Sequence, residues 1–254
     1  MTIKTYTHNG VATIEIARPE KKNAITQAMY QAMADALVAA NDDKSVRAVL
    51  IVGQPGIFTS GNDLEDFMAQ PPRGAEAPVF QFMRALTGCA KPVVAAVTGA
   101  AIGIGTTLLL HCDLVFVADD ARLAMPFVGL GLVPEFGSSL LVPQLMGNRR
   151  AAEKLLLGDP FTGEDAVECG IANRVLPASE VVNHARRMAE RFNGLAPGAV
   201  RDTKALIAAP QREAVLAAIA REAEIFGARL RSPEAMEAFQ AFFQKRAPDF
   251  SKFD

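Results

Sequence analysis

The chain of 254 residues has no tryptophan, only three cysteines and no surplus of either charge. Cys89, Cys112 and Cys169 are scattered with no C-x-x-C pair, which argues against a disulfide framework and against a cysteine-ligated zinc. Lys plus Arg number 26 and Asp plus Glu 28, a formal charge of −2. The basic excess with which nucleic-acid and membrane-surface binders neutralise phosphates is missing. No apolar run approaches the ~18 residues of a membrane helix, and the first ten residues, MTIKTYTHNG, contain no apolar core of a signal peptide. The expectation is a cytoplasmic globular protein that binds neither nucleic acid nor membrane. There is no G-K-[ST], no G-x-S-x-G and no H-E-x-x-H, which excludes a P-loop, a nucleophile elbow and a zincin site. No metal is expected.

Glycine, at 19 residues, and apolar side chains, at 50%, are abundant. Without tryptophan anchors, this composition favours close backbone packing around a large core. VATIEIA (11–17) alternates apolar and polar residues, as a half-buried strand does, whereas RAVLIVG (47–53) and KPVVAAVTG (91–99) are continuous apolar runs of buried strands. Thr26 stands as N-cap before a helical stripe of Met29, Met33 and Leu37. LVFVA and ARLAM read as short strands, and residues beyond about 125 are mainly helical. The Pro-, Gly- and charge-rich 69–78 reads as a surface loop. Strand–helix units near 11–41, 47–67 and 93–112 form loose repeats, so the fold class is α/β with a helical C-terminal part.

Three segments carry candidate chemistry. GAAIGIGTTL (99–108) runs from a strand through Gly103 and Gly105 into a helix start, where free N–H groups can hold an anion. The G-x-G-x-x-G pattern fails because Leu108 stands sixth. On these residues alone, plain turn packing is the commoner explanation. FTSGNDL (58–64) is a capped turn with a helix beginning near Asp63. In VPEFGSS (133–139), Glu135 sits among apolar residues, where desolvation raises a carboxyl toward working pH and suits it to general-base chemistry. A glutamate held by a helix dipole explains it equally. His111, beside Cys112 and Asp113, reads as a packing histidine.

Together these segments resemble the crotonase family, the enoyl-CoA hydratase/isomerase group. The resemblance runs in family order through ATIEIARPEKKNAIT, FTSGNDLEDF, KPVVAAVTGAAIGIGTTLLLHCDLVFVADDARLAMPFVGLGLVPEFGSS and FTGEDAVECGIANRVLP. It implies a crotonase/ClpP-like spiral of ββα repeats over 1–195. A helical trimerisation region over 196–254 covers the site and the oligomer interface, and the expected state is a homotrimer or hexamer. The implied substrate is an acyl-CoA thioester; coenzyme A enters only as part of it, and no separate cofactor is expected.

The resemblance places the backbone N–H donors of an oxyanion hole on Asn62 and Ile104, with a helix near Gly105 adding its positive end. It places CoA and substrate contacts on Asn23, Ala24, Ser60, Gly61, Asp63, Leu64, Gly103, Phe127 and Pro134, with Phe242 and Lys245 near the nucleotide. Arg18, Lys21 and Lys22 stand near the phosphates or are solvated surface charge. Hydratases of the family carry glutamates at the positions of Thr107 and Phe127, and both are absent here. Glu135 instead matches the catalytic glutamate of the peroxisomal-type Δ3,Δ2-enoyl-CoA isomerases, and Phe136 departs from their glycine. The implied activity is 3-enoyl-CoA to 2-trans-enoyl-CoA isomerisation by one glutamate. Alternatives are another reaction of the family (hydration, thioester hydrolysis, dehalogenation) or a non-catalytic CoA-ester-binding protein.

Overall fold

The computed structural model describes residues 2–72, 74 and 76–253. Two sheets divide the strands between them. The larger contains β1 (Ile3–His8), β2 (Val11–Ile16), β3 (Ala48–Val52), β5 (Val93–Val97), β7 (Leu114–Ala118) and β10 (Arg174–Leu176), in that spatial order. The smaller contains β4 (Ile57–Thr59), β6 (Ala100–Ile102), β8 (Arg122–Ala124) and β9 (Phe161–Thr162). All pairings are parallel except β1–β2 and β8–β9. The helices are α1 (Gln27–Asp42), α2 (Leu64–Ala69), α3 (Pro78–Thr87), α4 (Ile104–Thr107), α5 (Ser138–Ala152), α6 (Gly163–Glu168), α7 (Val181–Glu190), α8 (Pro197–Ala208), α9 (Arg212–Arg229) and α10 (Pro233–Phe243).

The continuous apolar runs follow from two-sided burial. Along β3, Val49 and Ile51 join the main core while Ala48, Leu50 and Val52 face a second cluster with Val181, Ala185 and Ala189 of α7. The same alternation continues in β5 and β7, so both faces of these central strands are covered and no position in them is left for a polar residue. β1 differs: only Ile3 is buried and five of its six residues are exposed. It is an edge strand without an apolar signature, and sequence periodicity missed it. β4, β6, β9 and β10 are two or three residues long, too short for any period to register.

The loose repeats are resolved by this division. The units at 47–67 and 93–112 each send one strand to the large sheet and the next to the small one, as β3–β4 and β5–β6, and β7–β8 does the same. The unit at 11–41 departs from this, since it contributes only β2, to the large sheet. The two sheets climb together as a spiral. Of the expected loop 69–78, Arg73 and Ala75 lie outside the described residues; Ala69 ends α2 and Pro78 opens α3. After β10 the chain is helical to Phe243. No helix among the described residues is long and apolar enough to cross a membrane.

Leu50 is fully buried between the large sheet and α7. Leu50→Ala is expected to lower unfolding free energy by about 2–5 kcal/mol, read from the urea midpoint. A loss below about 1 kcal/mol would mean that the α7 layer does not close over the sheet.

Candidate functional site

β4, β6 and β8 are adjacent and parallel, so the chain leaves all three at one edge of the small sheet. There the loops at 60–63, 103–104 and 125–137 stand side by side. Gly61 has φ 93°, and a Cβ there would lie 2.8 Å from the Ile102 carbonyl oxygen, so only glycine lets the first loop close on the second. Gly103, at φ 58° and ψ −119°, donates its N–H to Ala124 O (2.8 Å) and turns the chain into α4. Thr59 and Gly105 are in close contact.

These turns leave two amides unspent. Around Asn62 the ladder bonds are made by its neighbours, Ile25 N to Gly61 O and Asp63 N to Ile25 O, each 2.9 Å. The Asn62 N–H itself has no acceptor among the described residues. Ile104 is the first residue of α4, and its N–H likewise has none. The expected helix dipole is corrected: α4 has four residues and passes at once into a 3₁₀ turn (Leu108–His111), so it presents N–H groups without an extended macrodipole.

The loop carrying Asn62 is clamped from residues 18–26. Asn23, at φ 56° and with no exposed surface, donates from Nδ2 to the Ile57 and Phe58 carbonyls (3.1 Å each) and accepts from Arg18 N (2.7 Å). Thr59 Oγ1 donates to Asn23 O at 2.7 Å. In this structure Asn23 therefore braces the loop and offers no surface to a ligand. Arg18 Nη1 binds Asp63 Oδ2 (2.6 Å) and Ala24 O (2.9 Å), so its guanidinium is committed inside the protein. Burial alone raises the Asp63 carboxyl, but Arg18 and the Asp66 amide hold it below the usual range. Lys21 pairs with exposed Glu65 at 3.4 Å, and Lys22 is exposed.

Glu135 is 5% exposed, and its Oε1 has no hydrogen-bond partner among the described residues. Burial and the nearby Glu222 carboxylate push its pKa up to about 8, with the Asn62 side chain pulling the other way. Glu135 lies outside α5, and the carboxylate that serves that helix start belongs to Glu222 of α9. Glu222 accepts from Gly137 N (2.5 Å), Ser139 N (2.8 Å) and the Ser139 hydroxyl. The helix-dipole explanation thus applies to Glu222, and Glu135 is left as a desolvated carboxyl with an open acceptor.

Phe136 is non-glycine at φ 61°, in the left-handed region. Its carbonyl accepts from His111 Nε2 at 2.7 Å, and the two rings stack at 4.0 Å. Burial lowers the His111 pKa to about 4, so the ring is neutral and donates through Nε2–H. His111 packs as expected from the sequence, but it also pins the peptide next to Glu135.

Glu135 and Phe136 line a pocket with Phe67, Phe80, Met83, Ile219 and Phe226, closed to about 20 Å³, room for roughly one water. A cleft of about 600 Å³ continues beyond it, sharing Phe80, Ile219, Ala223 and Phe226. Among the described residues, Glu135 is the only titratable side chain lining the inner pocket.

Of the other candidates, Phe127 is 4% exposed and its ring reaches within 3.9 Å of a Cβ placed on Gly103. Thr107 is fully buried, and its hydroxyl has no partner among the described residues. Ala24, Ser60, Leu64 and Pro134 are half-buried at the loop edge. Phe242 (59% exposed) lies at the end of α10, and Lys245 (φ 54°) in the exposed turn that follows it. Sequence reasoning passed over Tyr30 and Glu222. Tyr30 hides in the apolar stripe of α1, but Glu222 left a signal, a lone carboxylate between buried Ala218 and Phe226 at helical spacing.

Comparison with known proteins defines the class. The Enoyl-CoA hydratase/isomerase family model matches residues 6–252. The chain belongs to this family, and its fold is the crotonase fold. It is 34% identical over 253 residues to human Enoyl-CoA delta isomerase 2, covering 97% of this chain but only 64% of that longer protein. It is 30% identical to the 2,3-dehydroadipyl-CoA hydratase of Escherichia coli K12, with 94% of each covered. Among solved structures, Pseudomonas aeruginosa OdaA superposes with a TM-score of 0.93 at 54% identity, covering 95% of this chain and 98% of that one. An enoyl-CoA hydratase/isomerase from Pseudoalteromonas atlantica T6c also gives 0.93, at 39% identity and 98% and 100% coverage.

The raised Glu135 carboxyl has a stability consequence. Its folded pKa of about 8 exceeds the ordinary 4.5, so the folded state keeps a proton that the unfolded chain releases. Stability then falls as pH rises from about 4.5 to 8. Glu135→Gln is expected to stabilise the protein at pH 9, by at most about 5 kcal/mol, with little effect at pH 4.5. An equal effect of the substitution at both pH values in urea unfolding would put the carboxyl in water.

Proposed function

We propose that the protein is a Δ3,Δ2-enoyl-CoA isomerase acting on acyl-CoA thioesters, with Glu135 as its single base. The observation that carries this reading is one desolvated carboxyl in an apolar pocket, with two unspent amides at the neighbouring strand ends. The thioester oxygen binds the N–H groups of Asn62 and Ile104. Glu135, as carboxylate, takes a C2 proton from a 3-enoyl-CoA, and the charge spreads into a dienolate whose oxygen the two amides stabilise. Each such donor typically contributes about 10²–10³ in rate. Glu135, now a neutral acid, delivers the proton to C4 and leaves the 2-trans-enoyl-CoA. Apart from Glu135 the residues lining the inner pocket are apolar, which disfavours the bulk water that competes for the proton. The identity to human Enoyl-CoA delta isomerase 2 supports the same reading.

Hydration is the second reading, favoured by the hydratase names among the relatives. Holding and activating a water across a double bond calls for an acid–base pair. Thr107 and Phe127 supply none, and Glu222 is spent on the α5 amides. We also read the protein as a cytoplasmic trimer or hexamer of fatty acid metabolism. The exposed apolar side chains of α8 and α10, Leu206 (74%), Ile207 (76%), Met236 (50%) and Phe242 (59%), support the assembly. Phe242 and Lys245 are then read as nucleotide contacts at that assembled face, and the half-buried loop edge as the CoA path.

Glu135→Gln is expected to reduce 3-enoyl-CoA isomerisation by at least about 10³-fold while leaving CoA-ester affinity within about threefold, since the amide keeps the shape and loses the base. Turnover equal to wild type removes Glu135 from its role. The wild-type rate is expected to rise with pH through about 8, as Glu135 ionises. Crotonyl-CoA is expected to lose its enoyl absorbance slowly, and rapid hydration in that assay would favour the second reading.

A further inference from the structure

We propose that Tyr30 is a positioning residue of this site, its hydroxyl fixing the Asn62 carboxamide with the NH2 end toward Glu135. The inference rests on the reading of Glu135 as the base. Tyr30 is fully buried on α1, packed against Phe82 with ring centroids 5.6 Å apart. Its hydroxyl donates to Asn62 Oδ1. A carboxamide has an acceptor end and a donor end. The Asn62 side chain acts on Glu135 in the sense that favours its carboxylate, and with Oδ1 spent on Tyr30 the end that can do so is Nδ2–H2. Asn62 thus serves the site twice, through its main-chain N–H toward the thioester and its side chain toward the base.

This polarity matters in both halves of the proton transfer. A donor beside the carboxylate favours the form that accepts the C2 proton. Once Glu135 is protonated, the same NH2 group cannot accept from it, and Oε1 meets no other acceptor among the described residues. The proton is then free to go to C4. If the carboxamide turned over, Oδ1 would accept from protonated Glu135, stabilise the acid and hold the proton that must move on. The tyrosine hydroxyl blocks that rotamer by occupying Oδ1.

The other groups facing Glu135 do not duplicate this role. Glu222 of α9 acts by its negative charge, and His111 beneath Phe136 is neutral. Asp66 of α2 acts on Tyr30, whose own ionisation is pushed well above 10 by burial and then by the Glu135 and Asp66 charges. Tyr30 therefore stays a donor throughout the working pH range.

The test compares wild type, Tyr30→Phe, Asn62→Ala and the double variant in two measurements. The first is infrared titration of the Glu135 carboxyl in substrate-free protein, its band assigned by loss in Glu135→Gln. The second is kcat and KM for 3-enoyl-CoA isomerisation from pH 6 to 10. In Tyr30→Phe the Glu135 midpoint is expected to rise by about one pH unit. The kcat at pH 7 should fall about tenfold, KM stay within about twofold and the rate recover toward pH 10. Asn62→Ala should move the midpoint in the same direction, and the double variant should add nothing further to it, as coupled partners do. An unmoved midpoint, a loss of rate equal at every pH, or additive effects would overturn the proposal. If the midpoint moves but wild type does not isomerise 3-enoyl-CoA, the positioning role of Tyr30 stands and the isomerase reading falls.

Discussion

The removal of one carboxyl group from water governs this structure. Glu135 stands in an apolar pocket with one oxygen unpartnered, near a second carboxylate that is itself buried. Both circumstances disfavour charge, and the protein maintains them because the surroundings are over-determined. His111 pins the Phe136 carbonyl, Glu222 pins Gly137 and Ser139, and Phe136 is held in a backbone conformation that a bulky residue rarely adopts. A carboxyl kept near neutrality in this way can exist as base or acid at working pH, which a solvated glutamate does at a cost of several pH units.

The spiral of repeats brings the remaining parts to that carboxyl. Because β4, β6 and β8 are parallel neighbours, residues about 20 to 40 apart in sequence arrive at one edge. The turns that follow β4 and β6 each leave one amide, the N–H of Asn62 and that of Ile104, without an acceptor among the described residues. What the scaffold must supply is rigidity, and the clamp from Asn23, Thr59, Arg18 and Asp63 does so. The charged residues near the first turn are largely spent on this clamp, so Arg18 is structural where its charge alone suggested a phosphate contact.

Phe136 marks where this chain parts from the pattern its motifs suggested. A glycine there would carry the left-handed backbone without strain. Phenylalanine carries it under strain and in return stacks on His111, meets Phe82 and lines the pocket beside Glu135. Family membership follows from nearly the whole chain, while the choice of reaction within the family rests on a few side chains at this edge. Threonine and phenylalanine stand where a second and third carboxylate would change the chemistry.

Much of the fold was legible in the amino-acid order because its causes are local. The buried strands announce themselves as unbroken apolar runs, since both of their faces are covered. Thr26 and Asp63 cap their helices as their chemistry requires. Turn glycines and an isolated acid marked the segments around Asn62, Ile104 and Glu135, but on the residues alone turn packing and a helix dipole explained them as well; only the family resemblance attached roles to these three residues. The edge strand β1 and the short strands β4, β6, β9 and β10 were invisible, because exposure or shortness erases periodicity. The partnership of Tyr30 with Asn62 and of Glu222 with the α5 amides, 32 and more than 80 residues apart, was decided only by tertiary structure. Nothing in a residue's own neighbourhood records which distant group will take its hydrogen bond, and desolvation is a property of the assembled core rather than of any segment of it.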